Sequence, residues 1–573
     1  MAQSRLSDLP EVFVPFETVK AQKGKIVFYN NNLESNLSES ELLSSYNYVT
    51  VDSDAEVNAA GEKKIFYAER YGGDGILTNG GGGRCGYDGT FHLKGLGANQ
   101  LVGARALDGY GNSHGNGFLS LDVAVYEAIW GEIINLALPH GAVRTAAVID
   151  LGVDFKEPDQ TLPRGLLVRV PAVRPAHFIR AVYFKERKHT DLSEDAKRVM
   201  LAVRKLVHFL PSKGLEQIAS EEKRLENGMI ELANRYANQF AAARVKRIFH
   251  QSISASNVTL DGAWMDLAGA TVFSNAMWWD GFNINRFMSE YAPAMESIQE
   301  MCFYLSKYKV VSAENSNSIL EKSVATFARE YERNLYLYTA VQLGFPLSVI
   351  QEVLSEPVFI EFSKILQKAL AYDEFSLVPV TASLSWEGCE HYVSRLYRQL
   401  LVQKFTGALQ DMTWFCKDAR LMAELMDAYY RIVELMLIKV KVSKASLCYF
   451  VAYMAISITR LNRVSKLLLE VRERIIKLRV NSIANKRDYS YTAQLECTVR
   501  DARLSYSCPK SFDTILWEAD GVVINFNGLS GIYTAVDSRG CETQFSKVVD
   551  LVKTVKGQDD LLTFYEGVKE FLP

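Results

Sequence analysis

Apolar residues follow two rhythms along this chain, and the change between them divides it. From Lys63 the stretches "KKIFYAERY", "GTFHLKGLG", "AAVIDLGVD", "GLLVRVPAV" and "AHFIRAVYF" are short, β-branched or aromatic, and bounded by Gly, Pro and Asp. They read as strands. Between them "SLDVAVYEAIWGEIINLAL" carries Leu121, Val125, Ile129, Ile133, Ile134 and Leu136 at a helical period, with Ser120 and Asp122 at its start as capping residues. After about residue 190 the pattern is mainly helical, with "DAKRVMLAVRKLVHFL", "IASEEKRLENGMIELANRYANQFAAARVKRIF", "RLMAELMDAYYRIVELMLIKV" and "VSKLLLEVRERIIKLRV" long and amphipathic. The last 90 residues mix a strand–turn–strand reading of "FDTILWEADGVVINFNGLSGIYTAV" with a helix near "LLTFYEGVKEFL".

These patterns predict an α+β chain in four parts: an N-terminal extension over 1–60, a β-rich lobe over 61–188, a helical lobe over 189–485, and a C-terminal α/β module over 486–573. A length of 573 residues points the same way, since domains average roughly 150 residues. The formal net charge of −3 gives no support for a nucleic-acid coat or a membrane-surface protein. Eight scattered cysteines contain no C-x-x-C pair, which argues against a zinc site. The opening "MAQSRLSDLPEVF" lacks the basic and apolar regions of a secretory signal. The apolar run "LCYFVAYMAISI" is shorter than the roughly 18 residues of a membrane span and reads as a buried helix. The expectation is a reduced cytoplasmic protein with no membrane span and no nucleic-acid partner.

Four constellations carry candidate chemistry. Glycine makes up more than half of "GGDGILTNGGGGRCG", and glycines let backbone amides approach phosphate oxygens; Arg84 adds a fixed charge, and a flexible turn is the alternative. In "FHLKGLG", Lys94 can present a compact cation to phosphates if a carboxylate holds it, and Glu127 lies amid Val123, Val125 and Ile129. A solvated strand lysine is the other reading. Arg169, Arg174 and Arg180 lie among apolar residues of "RVPAVRPAHFIRAVYF", as an anion pocket or as structural partners of carboxylates. In "HQSISASNVTLDGAWMDLAG", Asn257 and Asp266 stand nine residues apart, so a hairpin would converge two hard oxygen ligands for Mg²⁺. Both are also common turn residues.

In this order the pieces resemble the selenoprotein O family, pseudokinase-fold proteins that transfer AMP from ATP to protein hydroxyls. The resemblance covers residues 65–275 and implies a protein-kinase-like bilobal fold with a small β-rich N-lobe and a large helical C-lobe. It implies ATP and Mg²⁺ as cofactors. Lys94 matches the family's phosphate lysine, Glu127 its helix partner, and Arg84 the arginine after the Gly-rich stretch. Arg169 and Arg180 correspond to two phosphate-binding arginines, with Arg174 as a rival. Asn257 and Asp266 fall on the metal ligands, and His250 on a His seven residues before that Asn. Where the family carries an Asp proposed as the base, this chain has Ser256, and a hydroxyl accepts no proton at neutral pH. His114, in the longer loop "DGYGNSHGNG", is a replacement base or a turn residue.

A carboxylate acceptor is already ionised at neutral pH and needs no base. The segment "HGNGFLSLDVAVYEAIWGEIINLALPHGAVR" is also similar to microcin maturation proteins of the MchC/MceJ type. Those work with an acyltransferase-like partner to attach a glycosylated siderophore to a peptide precursor. The expectation is an ATP-dependent nucleotidyl- or phosphotransferase that activates the C-terminal carboxylate of a microcin precursor. Adenylylation of Ser, Thr or Tyr hydroxyls and a non-catalytic nucleotide-binding scaffold are the alternatives.

Overall fold

A computed structural model describes residues 5–33, 37–51, 58–76, 78–104, 115–157, 160–187, 191–211, 220–275, 280–380, 386–509, 511–519, 521–554 and 558–573. His114 lies outside the described residues. The chain is a mixed α+β fold with a large antiparallel sheet. Eight strands build that sheet: β1 (Phe13–Ala21), β2 (Lys25–Tyr29), β3 (Tyr48–Thr50), β4 (Asn58–Glu69), β5 (Cys85–Tyr87), β6 (His92–Lys94), β7 (Thr145–Glu157) and β8 (Gln160–Arg169). Their spatial order is β2-β7-β8-β6-β5-β4-β1-β3.

β1, β2 and β3 lie within the stretch read as an N-terminal extension, yet they belong to the sheet. β1 pairs with β4 and β3 at one edge, and β2 pairs with β7 at the other. Strand order in space is not chain order, which is why the sequence pattern alone placed these strands outside. "AHFIRAVYF" is not a strand either. Pro171 and Pro175 precede it, residues Pro175–Phe178 form a 3₁₀ turn, and its apolar residues Ala176, Phe178 and Ile179 are buried all the same.

Helix α1 (Glu39–Tyr46) opens with a capping box, Ser38 and Glu41 each bonding the other's backbone N–H. It covers one face of the sheet, where Leu93, Ile149, Leu166 and Val168 join its Leu42 and Tyr46. Helix α2 (Leu121–Ala137) covers the opposite face, where Val148 and Leu167 point. Side chains alternate between faces along a strand, so each strand feeds both cores. α2 is buried nearly all round, because two later helices pack against the side turned away from the sheet.

Beyond the sheet come α3 (Ala196–Val203), α4 (Glu221–Val245), the short pair β9 (Ile248–Phe249) and β10 (Thr271–Val272), α5 (Asp280–Met288), α6 (Ala292–Lys307) and α7 (Ala313–Gln342). Ser220 and Ser312 cap α4 and α7 by accepting backbone N–H bonds. α7 bridges two cores: Ile319 and Phe327 enter the one around α2, and Leu337, Ala340 and Val341 enter a second one. That second core is built from α8 (Leu347–Val353) through α12 (Leu447–Leu461), together with a four-stranded antiparallel sheet within 513–545 and the C-terminal helices. No boundary falls at residue 486, since the helix Thr492–Tyr506 packs on α2 within the first core. Among the described residues no helix is long and apolar enough to cross a membrane.

Candidate functional site

The register of three central strands fixes one polar patch. Leu93 pairs with Val168, and both face α1; their neighbours therefore face α2. His92 stands opposite Arg169, Lys94 opposite Leu167, and Cys85 opposite Lys94. On β4, Phe66 and Ala68 face α1, so Glu69 turns to the same side as Lys94. Glu69, His92, Lys94 and Arg169 thus share the face that α2 covers.

Lys94 is buried, and its Nζ donates to Glu127 Oε1 of α2 at 2.6 Å and to Asp266 Oδ1 at 2.9 Å. Arg169 Nη1 donates to the same Asp266 oxygen at 2.6 Å. Burial acts to raise the Asp266 pKa, yet Arg169, Lys94 and Arg174 hold it well below the usual carboxylate range. Burial likewise acts to lower the Arg169 pKa, and Asp266 beside it raises it overall. Arg169 Nε also donates to His92 Nδ1 at 3.1 Å, while His92 Nε2 lies 3.2 Å from Glu69 Oε1 without a hydrogen bond between them. Burial pushes His92 down to about 3, so this ring is neutral and its tautomer is set.

Asp266 is delivered by a hairpin. Met265 N donates to Asn257 O at 3.0 Å, Thr259 N to Ala263 O at 3.0 Å, and Val258 bridges Trp264. The hairpin hooks onto the segment after α2 through Val143 N to Trp264 O at 2.8 Å. His250 pins its base: Nε2 meets Met265 O at 2.8 Å, and burial lowers this His to about 4, keeping it neutral and donating. Asp266 has φ +60°, a left-handed backbone that Asp adopts more readily than most residues, and this turns its carboxylate back to Lys94. Asn257 Nδ2 donates to Ser252 O at 2.6 Å, and Oδ1 has one long contact, from Ser256 Oγ at 3.4 Å. Ser256 Oγ meets Ser254 Oγ at 2.9 Å.

The other arginines have separate duties. Arg174 is buried, with Nη2 on Glu69 Oε2 at 2.9 Å, Nη1 on Ser256 O at 3.2 Å, and its guanidinium 4.5 Å from the Tyr71 ring centre. It holds the hairpin loop to β4. Arg84 Nη1 donates to Phe118 O at 3.0 Å, tying the Gly-rich segment to the approach to α2. Arg180 lies against Tyr304 of α6, and among the described residues no polar contact joins it to Asp266.

Half of the Gly-rich segment is a packed turn. The amides of Gly80, Gly82 and Gly83 donate to Leu101 O, Glu69 O and Gly81 O, so they are not free to cradle phosphate. Gly72 is required by crowding, since a Cβ there would lie 2.1 Å from the Arg180 carbonyl carbon. Asp74–Ile76 form a short 3₁₀ turn, with Ile76 N donating to Gly73 O at 3.5 Å.

Sequence reasoning missed Glu69, His92 and His177, which bonds Glu69 Oε2 at 3.1 Å. Strand alternation was the available signal, because His92 is two residues before Lys94 and shares its face. Among the described residues no three His, Cys, Asp or Glu side chains converge on a metal-sized point. A hard cation here would draw on Asn257, Asp266 and substrate oxygens. No protein-family model matches the chain, and no curated protein matches it significantly.

Proposed function

We propose that this chain is an ATP- and Mg²⁺-dependent transferase with a kinase-like bilobal organisation, moving a phosphorus-bearing group of the nucleotide to a peptide or protein acceptor. One observation carries the reading: a buried lysine on a central strand, held by a helix carboxylate and joined to a hairpin carboxylate. A buried Lys–Glu pair facing an Asp is costly to desolvate, and polyphosphate binding gives it a use.

Lys94, oriented by Glu127, and Arg169 would meet the phosphate oxygens. The donor set fits Mg²⁺: two hard oxygens on a hairpin, one anionic, with the rest of the coordination left to phosphates. Bound there, Mg²⁺ supplies charge neutralisation on the transferred group. Asp266 would exchange part of its ion pairing with Lys94 for that cation, and the released ammonium would turn to phosphate. Arg174 holds the loop carrying Ser256 and Asn257 in place.

Two acceptors suit such a site. A carboxylate, as the likeness to microcin maturation proteins implies, needs no base, and an acyltransferase-like partner would complete the ester. A hydroxyl, as the likeness to adenylyltransferases implies, needs a base that Ser256 cannot supply.

The test is calorimetric titration of ATP with Mg²⁺ into wild type and Asp266→Ala. The reading expects binding that weakens at least about tenfold in the variant, the scale of one charge-assisted contact. Equal binding in both would sink it. ATP binding without any turnover would leave the scaffold reading.

A further inference from the structure

Gly73 lies between the loop that carries Ser256 and a carboxylate from another part of the chain. Gly72 N donates to Ala176 O at 2.9 Å, and Ala176 N donates to Ala255 O at 3.1 Å, which stitches the start of the Gly-rich segment to the hairpin loop. At Gly73, φ is +88°, and a Cβ built there would lie 3.1 Å from the Ala255 Cβ and 3.9 Å from Glu300 Oε2. Glu300 projects from α6, which also packs against Pro175–Phe178. Its carboxylate makes no hydrogen bond or ion pair with a described residue. It is half-buried beside Gly73, which leads into the 3₁₀ turn Asp74–Ile76 and neighbours Ala255, the residue between Ser254 and Ser256.

We infer that Glu300 is the general base of the transfer reaction, restoring from α6 the carboxylate that position 256 lacks, and that the acceptor is therefore a hydroxyl. The inference rests on the transferase reading above. In the step, the Ser, Thr or Tyr hydroxyl proton of the acceptor passes to Glu300 Oε2 as the acceptor oxygen bonds to phosphorus of ATP. The phosphorus–oxygen bond to the leaving group breaks and its electron pair departs on pyrophosphate for attack at the α-phosphorus, or on ADP for attack at the γ-phosphorus.

The surroundings suit a base working near neutrality. Burial raises the Glu300 pKa first, and the like charges of Asp74 on the Gly-rich segment and Glu296 on α6 raise it further, to about 7. Tyr304 and Arg180 flank the same face of α6. A carboxyl of this kind is half ionised at neutral pH and accepts a proton more readily than an ordinary glutamate.

The experiment incubates the full chain with α-³²P-ATP or γ-³²P-ATP, Mg²⁺ and casein as a hydroxyl-bearing probe, following label on casein and on the chain itself. Wild type is compared with Glu300→Gln, Glu300→Asp and Asp74→Asn, with ATP affinity measured in parallel. The expected label survives neutral hydroxylamine, as an ester of a hydroxyl does. Glu300→Gln slows transfer about 100-fold or more and flattens the pH profile while ATP affinity stays within about threefold, because general-base catalysis acts on the chemical step. Glu300→Asp retains a sigmoidal pH profile at a lower rate. Asp74→Asn moves the midpoint to lower pH by removing a like charge. Label lost to hydroxylamine, or Glu300→Gln labelling at the wild-type rate and profile, overturns the assignment and leaves the transferase reading standing. A wild type that labels nothing overturns both.

Discussion

Lys94 Nζ and Asp266 Oδ1, 172 positions apart in the chain, meet at 2.9 Å and join the central sheet to the hairpin. Arg169 shares the same oxygen, so one carboxylate balances two buried cations. Removing it leaves Lys94 and Arg169 facing each other with only Glu127 as counter-charge.

Asp266→Asn should therefore cost about 2–4 kcal/mol of folding stability, below the full scale for breaking a buried pair because Asp266 keeps some solvent contact. Lys94→Met together with Asp266→Asn should cost less than the sum of the singles by about 1–3 kcal/mol. Urea denaturation of the four proteins reads both quantities. Strict additivity would show that the pair is a geometric coincidence.

Arg169 and Arg174 differ in what they hold, and their variants should separate. Arg174→Met strands Glu69 in a buried setting and should destabilise by about 3–5 kcal/mol, with ATP affinity of the folded protein changed less than threefold. Arg169→Met should weaken ATP binding about tenfold or more. Denaturation and calorimetry on each variant distinguish the two, and the opposite pattern would move the phosphate contact to Arg174.

The site was legible in the chain where period and chemistry coincide. Lys94 on a strand, Glu127 on an apolar helix and Asn257 with Asp266 in a hairpin are local patterns, and the fold brings Lys94, Glu127 and Asp266 together. Arg174 was not separable from Arg169 by sequence, since both sit among apolar residues and only the burial of Glu69 decides between them. The strand composition of "AHFIRAVYF" misled for a related reason: buried irregular backbone needs the same apolar side chains as a strand, and the two prolines before it, Pro171 and Pro175, carried the contrary signal. The sheet order was invisible because β2 finds its partner, β7, across more than a hundred residues. Glu300 was invisible too, as a lone Glu on an amphipathic helix gives no sign of what it will face.

Glu290 offers a test in pH. It lies just ahead of α6, its Oε1 accepts the Gln251 N–H at 2.7 Å, and burial raises it to about 8, against bonds from Gln251 and His250 that lower it. A folded pKa above the unfolded one means its contribution is complete below about pH 4.5 and is lost as pH rises to about 8. Glu290→Gln removes that titration with little change of shape. The stability of wild type relative to this variant should fall with pH across that window by about 4 kcal/mol. Parallel curves in chemical denaturation at pH 5, 6.5 and 8 would refute the assignment.

Ser256 and Asn257 are adjacent, yet their variants should behave differently. The Ser256 hydroxyl is engaged with Ser254 at 2.9 Å, and its backbone carbonyl, which substitution leaves intact, is what Arg174 grips. Ser256→Ala should therefore change transfer rate and Mg²⁺ requirement by less than about threefold, since an un-ionised hydroxyl gives little base catalysis. Asn257→Ala deletes an oxygen that has only a long contact with Ser256 and stands beside Asp266 on the paired hairpin strands. It should raise the Mg²⁺ concentration for half-maximal ATP binding about tenfold or more, the scale on which even outer partners of metal sites act. Calorimetry of ATP binding across a Mg²⁺ series measures both. A large loss in Ser256→Ala with none in Asn257→Ala would transfer the chemistry to the hydroxyl and remove Asn257 from the cation site.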